Sequence, residues 1–152
     1  MTAPALAPAR ADARGTVWDT LLLVAIVGTA AFGGVMLLLH DLTRDLFDLV
    51  AFLGEPSPVT PEAEHFLSFF YGVTGAVMIG WTIALLGLAR GPLLRRERWA
   101  WTTLAASVTG WFVIDSVFSA AMGFPGNVVL NTGLAIAFWI PLAMIRRDLP
   151  RI

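Results

Sequence analysis

The 152-residue sequence contains no cysteine, and all ten of its basic residues are arginine. Without cysteine the chain forms no disulfide, no thiolate metal site and no cysteine nucleophile, and its redox compartment leaves no mark on the sequence. Charge is scarce as well. Charged residues make up 14% of the chain against 57% hydrophobic residues, and the mean hydropathy is +0.76. That balance excludes an ordinary water-soluble domain. The formal net charge of −1 points to neither nucleic acid nor a bulk acidic partner. No P-loop, nucleophile elbow, HExxH or dinucleotide fingerprint is present, and His40 and His65 lack the spacing of metal ligands. No cofactor and no metal are expected.

What the chain has instead is four apolar runs, over residues 17–39, 66–89, 99–121 and 128–145. Each has 18 residues or more, enough at about 1.5 Å per residue to cross a hydrocarbon core of about 30 Å. The expected fold is all-α, an integral membrane four-helix bundle spanning residues 16–147 as one domain. Residues 1–15, rich in Ala and Pro, read as a mobile N-terminal tail and residues 148–152 as a C-terminal tail. The N-terminal tail lacks the order of basic region, short apolar core and cleavage site of a signal peptide, so span one is expected to remain as its own anchor.

Arginine placement sets the expected orientation. Nine of the ten fall in three segments: Arg10 and Arg14; Arg90, Arg95, Arg96 and Arg98; and Arg146, Arg147 and Arg151. The positive-inside rule puts these segments, and both termini, in the cytoplasm of a bacterial inner membrane. The connection over residues 40–65 carries six carboxylates against Arg44 alone and faces outward.

Within that connection Leu42, Leu46, Leu49, Val50 and Leu53 recur at helical spacing opposite Asp41, Arg44, Asp45 and Asp48. This predicts an outer amphipathic segment between helices one and two, on the membrane surface or extending span one. The run from Gly54 to Pro61 breaks it, and Thr60, Pro61 and Glu62 announce the next helix. Small residues spaced by four predict close helix seams: Ala25, Thr29 and Gly33; Gly72, Ala76, Gly80 and Ala84; Ala106 and Gly110. These seams are read as intramolecular, with a homo-oligomer face as the alternative. Trp99 and Trp101 beside Arg98 read as interface belt residues, while Trp81, Trp111 and Trp139 lie deeper, for packing or for lining a cavity. Asp19 reads as a helix N-terminal charge at the cytoplasmic boundary.

One polar constellation interrupts the spans. Asp115 lies in GWFVIDSVFS, six residues and so roughly 9 Å below the outer end of span three. Asn131 in span four and Tyr71 in span two reach a similar depth. Spacing of four puts Ser107, Trp111, Asp115 and Ser119 on one face, and Asn127 and Asn131 on one face of span four. Joined, these faces would give Asp115 the partners Asn131 and Ser119, with Tyr71 or His65 near. An intramembrane carboxylate is costly and turns inward or to a hydrated cavity, which makes Asp115 the candidate catalytic or ligand-binding residue. The ligand set is Asp115, Asn131, Ser119, Trp111, Tyr71, Asn127 and His65. The structural alternative is that Asp115 and Asn131 only hold spans three and four together.

Gly80-Trp81, Glu97-Arg98-Trp99-Ala100-Trp101, the run from Trp111 to Asp115, Asn127 and Asn131 resemble, over residues 61–147, a group of small bacterial four-span membrane proteins similar in layout to the DoxX-like and EXPERA families. In the EXPERA families, which include sterol isomerases and a sigma-type receptor, intramembrane acidic residues line a pocket for sterol-like ligands that opens to lipid. The resemblance implies that role for Asp115. A second intramembrane carboxylate and the isomerases' basic partners have no clear counterpart here.

Three functions are therefore expected in order. The first is a non-catalytic membrane protein that holds a small apolar or amphipathic ligand, or serves as an accessory subunit to a membrane protein partner. The second is an isomerase-type enzyme acting on isoprenoid or sterol-like lipid through Asp115. The third is a proton-coupled small-molecule exporter, weakened by the absence of a visible inverted repeat.

Overall fold

The computed structural model describes residues 15–51 and 59–150. Residues 1–14 of the expected N-terminal tail, the last two residues of the expected C-terminal tail, and most of the Gly54–Pro61 breaker together with Leu53 lie outside these residues. The described chain is helical: α1 Val17–Leu38, α2 His40–Ala51, α3 Pro61–Leu88, α4 Arg98–Ala121 and α5 Pro125–Arg147, with a π-helical turn at Ala89–Leu93 extending α3. Four of them, α1, α3 with its extension, α4 and α5, are long and apolar enough to span a bilayer. The protein is an all-α, multi-pass membrane protein whose core is a four-helix bundle. An even number of crossings brings both ends of the bundle's chain to one side, the arginine-rich end.

Local sequence explains the helix starts. Thr16 and Asp19 form a reciprocal capping box on α1, Thr16 N donating to Asp19 Oδ2 at 2.6 Å. Thr60 caps α3 with Pro61 in the first turn, as its sequence predicts. Asp19 does more than cap. Arg96 donates from Nη1 to Oδ1 at 2.8 Å and from Nη2 to Oδ2 at 2.9 Å, a two-pronged pair that ties the α3–α4 connection to the start of α1. The hydrogen bonds to Asp19 raise the Arg96 pKa still further. Arg96 makes this reach from a left-handed backbone, φ 58°. Beside it, bonds from Arg95 and the Trp99 indole hold the exposed Glu97 carboxyl below its usual range.

Packing is uneven around the bundle. Helix α1 lies between α3 and α5, and α5 lies between α1 and α4, while α3 and α4 barely touch. The fully buried core gathers at the arginine-rich end, where Leu22 and Ile26 of α1, Leu85 of α3, Leu104 of α4 and Phe138 and Leu142 of α5 interlock. Trp101 belongs to this end and faces inward, correcting the belt assignment: its Nε1 donates to Leu142 O at 2.7 Å and Arg146 lies over its ring. Trp99 stays exposed, as a belt residue would. Trp139 packs edge-on to Trp101.

The seams need a second correction. Thr29 and Gly33 are buried as expected, but their partner on α3 is Gly75, one residue out of phase with the predicted Ala76, Gly80 and Ala84 ridge, which is exposed. A Cβ on Gly75 would overlap the Gly33 carbonyl oxygen, so the α1 and α3 backbones touch here. On α4 the buried face runs through Leu104, Ala105 and Val108, leaving Ala106 exposed and Gly110 with open space around it. In each case the small ridge and the true seam are adjacent helix faces, and small size alone does not choose between them.

Helix α2 crosses the other end, against α1, α3 and α5. Its amphipathic character is as predicted, with Leu42, Leu46 and Leu49 exposed. Thr43 and Phe47 turn to the bundle instead, Thr43 fully buried with Oγ1 donating to Val35 O and Leu39 O.

Candidate functional site

Because α3 and α4 separate toward the acidic end, a crevice of about 1250 Å³ opens between them, with α1 and α5 as its back wall. Its floor is made where the two helices do meet. Trp81 Nε1 donates to Ser107 Oγ at 2.8 Å, and the Trp81 ring lies 5.9 Å from Trp111 and 6.3 Å from Phe138. These aromatic contacts close the bundle below and leave the half above unfilled. Phe32, Met36, Phe70, Val77 and Leu134 give the walls a predominantly apolar surface.

The polar residues gather on the α4–α5 side of this crevice. Ser119 Oγ donates to Asp115 Oδ1 at 3.2 Å. Asn127 Nδ2 reaches Ser119 Oγ at 2.8 Å and Asp115 Oδ1 at 3.4 Å. Among the described residues both bonds to Asp115 therefore fall on one oxygen, and Oδ2 takes none. Asn131, one turn further along α5, lines the same crevice at 5% exposure, and its Nδ2 is sealed from water with no partner among the described residues. An unpaired buried donor costs about 1–3 kcal/mol. The crevice wall thus offers a carboxylate oxygen that takes no bond from the described residues, and just beneath it an unspent amide donor that a turn of the Asn131 side chain would bring to the crevice. Ser116 Oγ is also buried without a partner but does not line the crevice.

Most of the residues singled out by sequence come together here: Asp115, Asn131, Trp111, Asn127 and Tyr71 line the crevice, and Ser119 joins through its bonds to Asp115 and Asn127. The expected Asp115–Asn131 bond is not made. Asn127, nearer the helix end, takes that place because four residues of helical rise set Asn131 a turn deeper. His65 is exposed near the start of α3 and is not part of the site. Tyr71 stands on the opposite wall, stacked on Phe47 with centroids 5.5 Å apart.

Sequence reasoning missed Phe47, which lines the crevice from α2, and Thr29 and Thr74 on the back and α3 walls. Phe47 could have been found from its place three residues after Arg44, off the leucine stripe. Among the described residues no cluster of three or more acidic or histidine side chains could hold a metal ion.

Compared with protein-family models, curated proteins and solved structures, the chain matches none.

Proposed function

We propose that this membrane protein holds a small amphipathic ligand, with its apolar body in the crevice between α3 and α4 and its polar end against Asp115, Asn127 and Asn131. One observation carries the reading: a 95% buried Asn131 whose Nδ2 is unpaired on the wall of a large apolar crevice. A polar group that accepts from Asn131, once its side chain turns the donor to the crevice, and donates to the free Asp115 oxygen answers both vacancies, and a hydroxyl or primary amide does so. The volume suits a ligand of drug size or larger, and the slit between α3 and α4 lets it arrive from the bilayer. In this reading the arginine-rich end faces the cytoplasm of an inner membrane. The likeness in layout to DoxX-like and EXPERA proteins enters through Asp115 alone.

The isomerase-type reading rests on the same oxygen. Asp115 Oδ2 is unpartnered and could act as a general acid or base on a bound lipid. It stands second because, among the described residues, Asp115 is the one carboxylate on the crevice wall, and no second acid faces it to stabilise the charge that builds up as a double bond moves.

A long-chain alcohol brominated partway along its chain tests the binding reading through quenching of tryptophan fluorescence. Saturable quenching that Trp81→Phe and Trp111→Phe together remove is expected. Quenching spread over Trp99 and Trp18 alone would place the probe in bulk lipid and contradict the site, whereas exclusion of the probe by a copurified protein would favour a partner's transmembrane helix as the occupant.

A further inference from the structure

Two smaller cavities continue from the crevice to the acidic end. A polar one of about 540 Å³ lies between α2 and α3, lined by His40, Arg44, Asp45, Asp48, Glu64 and Tyr71 among others. A neck of about 290 Å³ shares Arg44, Asp48 and Tyr71 with that cavity and Phe47, Tyr71 and Asn127 with the crevice. Tyr71 lines all three, and Phe47 lies against it with the ring planes 9° from parallel. Below this pair the neck reaches Ser119 and Asn127, the partners of Asp115. The stack therefore stands where a polar vestibule would otherwise open onto the polar end of the crevice.

Its two rings come from different helices. Phe47 belongs to the 12-residue α2, joined to α1 through Leu39, whose φ of −124° and ψ of 65° break the helix. Helix α2 is fastened to α3 by the Phe47–Tyr71 stack and by the Arg44–Glu64 ion pair, both half exposed to water and neither part of the packed core. Helix α2 is also anchored to the bundle at Thr43, which is buried and bonded to Val35 O and Leu39 O, so the parts free to move are the two half-exposed rings, which turn about their own side-chain torsions without unfolding their helices.

We propose that the Phe47–Tyr71 pair is a gate on a water-accessible route from the acidic end to Asp115 and Asn131. Through it the polar end of a bound amphipath exchanges with the aqueous face, while the apolar body stays in the lipid-facing crevice. What passes rests on the ligand reading above; the gate itself does not. Charge sets a selectivity. Asp41, Asp45, Asp48 and Glu64 line the vestibule against Arg44 alone, and Arg44 is already paired with Glu64, so the route favours neutral or cationic groups over anionic ones.

The absence of cysteine makes the test direct, because Asn131→Cys places one thiol in the molecule, beyond the gate. Purified full-length protein in nanodiscs is treated with charged methanethiosulfonate reagents, which do not cross the apolar slit, with His65→Cys as the exposed reference. With both rings in place the thiol at position 131 should react at least tenfold more slowly than that at position 65. Phe47→Ala, and independently Tyr71→Ala on the other helix, should raise the rate at position 131 at least tenfold and leave position 65 unchanged. The cationic reagent should outrun the anionic one of equal size. Rates at 131 that neither substitution changes, or that match position 65 from the start, overturn the gate. Equal rates for the two reagents overturn the vestibule as its entrance. Gated labelling in a protein whose tryptophans the brominated alcohol fails to quench removes the ligand reading and leaves the gate as an entry for water.

Discussion

Gly33 on α1 and Gly75 on α3 meet with no side chain between their backbones: a Cβ on Gly33 would stand 2.9 Å from the Gly75 carbonyl oxygen. Lipid supplies no hydrophobic drive between helices, so close backbone approach of this kind is a main source of helix association. The contact draws α3 onto α1 and away from α4, and the crevice is the space that remains.

Gly75→Leu should therefore destabilise the bundle by about 1–3 kcal/mol or more, through overpacking against backbone that cannot yield. Ala76→Leu and Gly80→Leu, which face outward, should melt within about 0.5 kcal/mol of the parent. Thermal unfolding in detergent decides between the faces; the reverse ranking would move the seam to the Ala76 ridge.

Arg96→Ala should cost on the order of 2 kcal/mol, since it strips two charge-assisted hydrogen bonds from a carboxylate that is 5% exposed. Asp19→Asn combined with Arg96→Gln should cost less than the sum of the single changes, because neither leaves a lone charge behind. A double-mutant cycle read by denaturant unfolding measures that coupling, and additivity would mean the pair is idle.

Ser107→Ala removes the acceptor of the Trp81 indole and with it the side-chain bond joining α3 to α4. A loss of about 1 kcal/mol is expected. Near the crevice floor this should also loosen the Trp81–Trp111 contact, seen as a changed tryptophan emission maximum; an unchanged spectrum would show that the floor is held by ring packing alone.

Much of this architecture is legible from residue order. The length of the apolar runs fixes the number of crossings, and Thr60-Pro61 and Asp19 fix helix starts, because these signals depend on local chemistry alone. Asp115, Ser119, Asn127 and Asn131 are also legible as a group: polar side chains in a span stand out against their neighbours, and spacing of four aligns them. Which seam wins is not legible. Gly75 and Ala76 both read as small residues in the sequence, and only the backbone contact with Gly33, which leaves no room for a Cβ, selects Gly75. The Asp19–Arg96 pair escapes for the same reason, as 77 positions separate its members and the left-handed turn at Arg96 has no signature in the sequence. Phe47 stayed hidden because the leucine stripe on α2 dominates its periodicity, while the helix turns its other side to the bundle.

The most direct test of the ligand site is Asn131→Leu, read by two measurements on one preparation: thermal stability and mass spectrometry of the small molecules that copurify from native membranes. Leucine has the same branching and number of heavy atoms, removes the unpaired donor and has the crevice beside it to take its bulkier methyl groups, so stripped of copurified molecules, the variant should melt at or above the parent's temperature. The parent should carry an amphipathic molecule with a hydroxyl or amide head, and the variant should have lost most of it. A parent with no such molecule, or a variant that retains it in full, would contradict the account and leave Asn131 as a buried amide with no ligand to meet.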